Sequence, residues 1–250
     1  MSPRLAFALD AAFLAGRLTL RHFQTDTPVE LKPDITPVTE ADKEAEKLIR
    51  ASIEKKYPGE TVLGEEQGLH GASDDRWVVD PIDGTKSFIS GVPLYATLLS
   101  YEVAGEPEIG VCYFPALDEM IYAQRGQGAF WNGRQAQVSG QQEFKGSRIS
   151  CGSILTLERQ GRLSKLIELG LDSLLIRTWC DAYGHALVAT GRIDVMLDPI
   201  VKRWDISAMS LIVREAGGKF TDFQGGEPLA DEVISSNGHL HPAALGAFRA

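Results

Sequence analysis

Leu5, Ala8, Leu9, Ala12 and Phe13 recur at i, i+3, i+4, i+7 and i+8, the stripe of an amphipathic helix that lays one face on a core. A polar, proline-bearing stretch over 25–37 leads into a second periodic segment, whose buried face is Ala45, Leu48, Ile49 and Ile53. Thr39 and Asp42 make an imperfect capping box at its start, and Pro58-Gly59 closes it. Strands are predicted over 61–63 and 77–79, the second stopped by Pro81, which has no N–H to give to a ladder. Short β runs over 96–101, 109–114 and 120–123, parted by Gly, Pro and Asp turns, predict an antiparallel meander.

The second half alternates between the two periods. Helix is predicted over 157–169, extended chain over 174–177, helix over 182–190 and extended chain over 193–197. A helix over 206–216 ends at Gly217-Gly218, and 219–221 returns as a strand. Helices around partly antiparallel sheets make a layered α/β (α+β) arrangement. No internal repeat, low-complexity tract or flexible linker divides the chain, so 1–250 is expected to form one domain of two intimately packed halves, roughly 1–145 and 146–250.

Composition narrows the function more than the fold. With 44% hydrophobic and 24% charged residues among 250, the chain can bury a sizeable core. Its formal net charge of -9 disfavours nucleic acid, which is bound by clustered Lys and Arg. A small ligand bridged by metal fits better. Cys112, Cys151 and Cys180 are odd in number and far apart, so neither a disulfide framework nor a CxxC metal site is readable, and reduced thiols in a cytoplasm are expected. Arg4 before the apolar-leaning run 5–15 imitates a short signal peptide, but Asp10 interrupts it and the helical stripe is the better account. No apolar stretch approaches the ~20 residues that cross a bilayer.

The densest chemistry lies in Trp77-Val78-Val79-Asp80-Pro81-Ile82-Asp83-Gly84-Thr85, where an apolar strand delivers two carboxylates around a proline bend. A helix beginning near Gly84 would aim free N–H groups at the same place and favour an anion there. Glu65, after another short strand, and Asp205, at the opening of a helix, share this position at an element end. Gathering such carboxylates raises their pKa values or costs several kcal/mol unless a multivalent cation compensates. An all-oxygen set suits magnesium, which also binds substrate phosphate. Each acid has an ordinary role as well: Asp205 as a helix N-cap, Asp83-Gly84 as a turn, Glu65-Glu66 as a solvated pair. Spacing alone leaves both accounts open.

These residues resemble those of the inositol monophosphatase-like family of magnesium-dependent, lithium-sensitive phosphatases. The resemblance covers nearly the whole chain and rests on Gly64-Glu65-Glu66, Asp80-Pro81-Ile82-Asp83-Gly84-Thr85 and Trp204-Asp205-Ile206-Ser207-Ala208, with Thr39 and Asp42 matching an upstream Thr-x-x-Asp element. It implies an αβαβα sandwich, usually dimeric, with two to three magnesium ions per site. By position, Glu65, Asp80 and the Ile82 carbonyl would hold the first ion, Asp80, Asp83 and Asp205 the second, and Glu65 a weaker third. The implied reaction is in-line attack by a water activated with help from Glu65 and Thr85, with Asp42 orienting or deprotonating Thr85. No phosphoenzyme forms. Phosphate would sit by Asp83 on the N–H groups of Gly84 and Thr85.

Within the family, 37–42, Asp83-Gly84-Thr85-Lys86-Ser87-Phe88 and Trp179-Cys180-Asp181-Ala182-Tyr183 are most similar to the histidinol-phosphate phosphatase branch. Asp181 stands where the inositol enzymes carry a small residue, and Asp198 where they carry a substrate-binding glutamate. Two carboxylates beyond the metal ligands suit the ammonium and imidazole of histidinol phosphate better than the neutral hydroxyls of inositol. The structural alternatives are a helix N-cap for Asp181 and a turn before Pro199 for Asp198. Lys86 reads as solvated, His185 as core, and Cys180 as a small packed hydrophobe; His239 and His241 lack a third metal ligand nearby. The expected substrate is a small phosphate monoester, histidinol phosphate first and an inositol or sugar phosphate second. A non-catalytic, metal-binding protein of the same fold is the reading from a different class. No GxxxxGK[ST] loop supports a kinase.

Overall fold

A computed structural model describes residues 1–33, 35–226 and 231–249. The chain runs α1 (Pro3–Thr19), β1 (Val29–Leu31), β2 (Pro37–Thr39), α2 (Glu40–Lys56), β3 (Thr61–Gly64), β4 (Gly68–His70), β5 (Arg76–Asp83) and α3 (Thr85–Ile89). It continues through β6 (Ala96–Val103), β7 (Glu106–Phe114), β8 (Glu119–Gln124), β9 (Ala129–Trp131), β10 (Arg134–Ala136) and β11 (Arg148–Cys151). Then come α4 (Ile154–Arg159), α5 (Leu163–Gly170), β12 (Leu175–Arg177), α6 (Asp181–Ala189), β13 (Val195–Val201), α7 (Arg203–Glu215), β14 (Lys219–Thr221), β15 (Asp231–Ser236) and α8 (His241–Phe248).

Alternation along the strands explains the layers, because successive side chains leave a sheet on opposite faces. The eight-stranded sheet has the order β10-β9-β8-β7-β6-β5-β3-β4, and the five-stranded sheet β12-β11-β13-β15-β14. On β6, Leu99 packs with Leu5, Ala8 and Ala12 of α1 and Ile49 and Ile53 of α2. Its neighbour Leu98 packs the other way, with Ala186 of α6 and Ile206 and Met209 of α7. On β13, Met196 joins that same central cluster, while Val195 and Leu197 pack with Leu157, Leu166 and Phe248 of α4, α5 and α8. Five layers result, α1/α2, sheet, α6/α7, sheet and α4/α5/α8, which is the αβαβα sandwich. Among the described residues no helix is long and apolar enough to cross a membrane.

Several local expectations are corrected. Phe13 is 42% exposed, whereas Ala11 and Ala15 are buried. Small residues let α1 press close to the sheet: a Cβ on Gly16 would lie 2.5 Å from the Tyr113 ring. The single helix expected over 157–169 is two, α4 and α5, parted at Gly161 with φ +67°. Pro81 does not stop β5, which continues to Asp83 through a register shift that needs no ladder N–H from the proline. Asp198 lies not in a turn but inside β13, which also runs on past its proline to Val201.

Candidate active site

Asp80 and Asp83 are three residues apart, so a regular strand would send them to opposite faces. The shift in β5 prevents this. Asp80 pairs with Leu98 and Asp83 with Ala96, two residues apart on β6, so one extra residue is absorbed and both carboxylates face the central helical layer. Thr97 Oγ1 donates to the Pro81 carbonyl at 2.9 Å, and the Ile82 N–H donates to Asp80 Oδ1 at 3.1 Å, fixing the kink. The same device recurs in the other sheet. Asp198-Pro199-Ile200 on β13 has Asp198 opposite Val233 and Val201 opposite Asp231, again three residues against two. Asp198, two residues after Met196 and opposite Val233, faces the central layer, and the shift brings Val201 to the same face. The repeated Asp-Pro-Ile was present in the sequence, although no internal repeat was expected from it.

α7 supplies the third acid. Asp205 is its third residue rather than its N-cap; Lys202 is the cap, and its N–H donates to Asp205 Oδ2 at 2.7 Å. Carboxylate oxygens of Asp80, Asp83 and Asp205 all lie within 4.8 Å of one another, the one such acidic group found among the described residues. Burial, followed by repulsion from Glu65, Asp83 and Asp205, pushes the Asp80 pKa well above its ordinary 3.8. Asp83 is raised by burial and then by Asp181 and Asp205. Burial pushes Asp205 up to about 7 against the bond from Lys202.

Glu65 follows β3 and its N–H donates to the Val79 carbonyl at 3.2 Å. Its carboxylate is within hydrogen-bonding reach of Asp80 and accepts from Lys32 Nζ at 2.8 Å, while the same ammonium reaches Glu66 at 2.7 Å. Lys32, in the proline-bearing stretch after β1, was not singled out by the sequence; a lone lysine there carries no spacing signal. Asp42 sits in the first turn of α2, where its Oδ2 accepts from the Thr39 N–H at 2.7 Å and Thr39 Oγ1 at 2.6 Å. Its Oδ1 is buried without a partner among the described residues, and desolvation raises its pKa to about 6 despite those bonds. Thr85, the first residue of α3, gives its hydroxyl to the Ile82 carbonyl at 3.1 Å.

Asp181 opens α6 with φ +58°, a left-handed conformation uncommon for a residue with a side chain, and Cys180, not Asp181, is the N-cap. The Ala182 N–H donates to Asp83 Oδ2 at 2.7 Å, so an acid of the first sheet caps a helix of the central layer. Asp181 reaches over Gly84, where a Cβ would lie 3.0 Å from its Oδ2. Asp198 packs against Gly152, where a Cβ would lie 2.6 Å from its Oδ1. Burial first, then Asp181 and Asp205, raises the Asp198 pKa well above the ordinary value. Lys86 is exposed. His185 is core: Nδ1 bonds with Ser235 Oγ at 2.8 Å, and burial lowers its pKa to about 3. Burial, then Asp181 and Asp198, pushes the Cys180 thiol up to about 12, away from a reactive thiolate. His241 is spent on Ser236 and Thr221.

A second buried carboxylate network sets the start of α7. Glu102 on β6 is 0% exposed and accepts from Arg203 Nε at 2.7 Å, Ser207 Oγ at 2.7 Å and Arg76 Nε at 2.9 Å. It thus fastens the residues flanking Asp205 to the first sheet. Replacing Glu102 with Ala strands two half-buried guanidinium groups and should cost about 3 kcal/mol, a fall in Tm of roughly 6–12 °C for a chain of this length. Calorimetric melting checks this; a fall under about 2 °C would mark the network as no stronger than a surface pair.

The sequence profile of the Inositol monophosphatase family matches residues 1–250. A histidinol-phosphatase of Chlorobaculum parvum is 44% identical over 252 aligned residues, which cover 99% of this chain and 97% of that protein. The fructose-1,6-bisphosphatase/inositol-1-monophosphatase of Thermotoga maritima is 36% identical, covering 95% of this chain and 93% of that protein. Among solved structures, the extragenic suppressor protein SuhB of Bartonella henselae superposes with a TM-score of 0.93 at 32% identity, over 99% of each chain. Profile, relatives and architecture agree along the whole length: the chain belongs to the inositol monophosphatase family.

Proposed function

We propose that this metal-dependent phosphomonoesterase hydrolyses L-histidinol phosphate to L-histidinol and inorganic phosphate, with two to three magnesium ions per site, as a cytoplasmic homodimer. The observation that carries the substrate is the pair of half-buried Asp181 and buried Asp198, near enough for Asp181 to raise the Asp198 carboxyl yet outside the Asp80, Asp83 and Asp205 group. They offer two anionic partners to a substrate with an ammonium and an imidazole. The 44% identity to a histidinol-phosphatase supports the same substrate.

The donor set fits a divalent cation. Two buried carboxylates and one half-buried, all of raised pKa and within 4.8 Å, repel one another, and among the described residues no Lys or Arg forms an ion pair with them. All are hard oxygen donors. Glu65, Asp80, Asp83, Asp205 and the Ile82 carbonyl would hold the metal. Bound there, it supplies Lewis-acid activation of water and neutralises charge on the phosphoryl and leaving oxygens. Glu65 and the Thr85 hydroxyl would orient the water, and Asp42 Oδ1 would accept the Thr85 proton, which in this structure goes to the Ile82 carbonyl. The N–H groups of Gly84 and Thr85, at the start of α3 beside Asp83, would orient the phosphate. Asp181 and Asp198 hold the cationic end of the substrate.

Phosphate release from histidinol phosphate and inositol 1-phosphate, measured side by side with magnesium, tests this. A kcat/KM on the order of 100-fold higher for histidinol phosphate is expected. Equal efficiencies, or a preference for inositol 1-phosphate, would instead favour an inositol or broad sugar monophosphatase, the reading that the Thermotoga maritima relative supports.

A further inference from the structure

Glu46 is 0% exposed, an acid in the buried face of α2 that the reaction above does not use. Its Oε2 accepts from the Glu66 N–H at 2.7 Å, and its Oε1 from the Gln67 N–H at 3.1 Å and from Arg50 Nε at 2.7 Å. Arg50 Nη2 donates in turn to the Gly68 carbonyl at 2.6 Å. Two side chains one helical turn apart therefore grip both sides of the turn that carries Glu65. Gly64 belongs to the same arrangement: a Cβ there would lie 2.3 Å from Glu46 Oε1 and 2.7 Å from Arg50 Nη2.

We infer that Glu46 is a positioning residue that fixes Glu65 for metal binding by holding the backbone of Glu66 and Gln67, with Arg50 orienting it. The Glu65 N–H is tied to Val79 on one side and the Glu66 N–H to Glu46 on the other. Both peptides flanking Glu65 are thus pinned, which restricts the carboxylate to side-chain rotation. A buried carboxylate costs several kcal/mol of desolvation, which a turn that water could serve would not require. Because Arg50 balances the charge, the effect is one of geometry. Asp42 lies four residues before Glu46 on the same helical face, so one helix sets both Asp42 and Glu65. The inference rests on Glu65 being a metal ligand.

Magnesium binding by calorimetry on the full chain, alongside Tm and the magnesium dependence of kcat, tests it. Glu46→Gln keeps the size of the side chain but turns a donor toward groups that must donate. Its magnesium dissociation constant should rise about 10–100-fold, with a smaller fall in kcat at saturating magnesium. Glu46→Asp keeps the charge one methylene short and should show the same weakening; parent affinity in that variant would overturn the role of reach. Arg50→Lys keeps Glu46 and its charge partner, and about 3–10-fold weaker binding is expected; this variant carries the test should both Glu46 variants fail to fold, and unchanged affinity in it then overturns the inference. A lower Tm with magnesium affinity within about twofold of the parent overturns it too, leaving Glu46 merely structural. A parent chain that bound no magnesium would overturn the metal reading itself, a result distinct from equal binding by parent and variant.

Discussion

Asp80→Asn should lower kcat/KM on the order of a thousandfold while making the metal-free protein more resistant to heat. The first effect follows from the several kcal/mol that a metal contributes to charge stabilisation in phosphoryl transfer, at 1.4 kcal/mol for each factor of ten. The second follows from the field around Asp80, where burial and the carboxylates of Glu65, Asp83 and Asp205 all oppose ionisation. Asn keeps the oxygen that accepts the Ile82 N–H and removes the charge. A carboxyl whose pKa is raised by folding adds no penalty below its unfolded value and a growing one as pH rises to its folded value. For Asp205, raised from 3.8 to about 7, that window is pH 4 to 7. Metal-free protein should therefore lose Tm as pH rises through this range, and added magnesium should restore it. Melts in chelator and in magnesium from pH 4 to 8 check both parts. An Asp80→Asn protein less stable than the parent in chelator would show that the acid cluster is not under electrostatic strain.

The acidic cluster was legible because each of its members stands at the end of a predicted element, where periodicity stops and chemistry begins. Their geometry was not. Pro81 reads as the end of a strand and 193–197 as a strand that stops short of Pro199, yet each proline lies in a shift that turns positions three apart to one face. Reading Pro81 as a stop left the convergence of Asp80 and Asp83 without a cause, and ending the later strand at 197 left Asp198 with a turn as its structural alternative. The alternation that reveals a strand does not reveal the residue at which alternation slips.

Other omissions share a physical origin in buried polar side chains. β11 and β15 carry Ser150, Ser235 and Ser236, whose hydroxyls bond to the Trp179 carbonyl, His185 and His241. Satisfied serines pack like small apolar residues but are scored as polar, which hides the strand period. Glu46 and Glu102 are concealed in the same way, as acids in buried positions whose partners are distant in sequence. The helical stripe of α1 was nearly right, but its spacing took in Phe13 where close packing selected Ala11 and Ala15.

Asp181→Asn and Asp198→Asn should each cut kcat/KM for histidinol phosphate by roughly 10–100-fold, the worth of a charge-assisted hydrogen bond of about 1.5–3 kcal/mol. An aryl phosphate, which presents no cation, should lose less than about threefold. The asymmetry arises because neither acid belongs to the group of Asp80, Asp83 and Asp205, and the repulsion that Asp181 exerts on Asp83 and Asp205 is relieved equally for both substrates. Both carboxyls are raised by burial, and Asp198 further by Asp181, whereas a cation beside them favours the charged forms. A cationic substrate should then displace a proton as it binds. Calorimetry of L-histidinol binding in buffers of different ionisation enthalpy measures that release, and it should vanish in the double Asn variant. If the two acids grip one ammonium, the double variant should lose less than the sum of the single losses; if one holds the ammonium and the other the imidazole, the losses should add. Equal losses on histidinol phosphate and aryl phosphate would remove both residues from substrate recognition and return Asp181 to the role of ordering the start of α6, where its left-handed backbone would then stand without a functional reason.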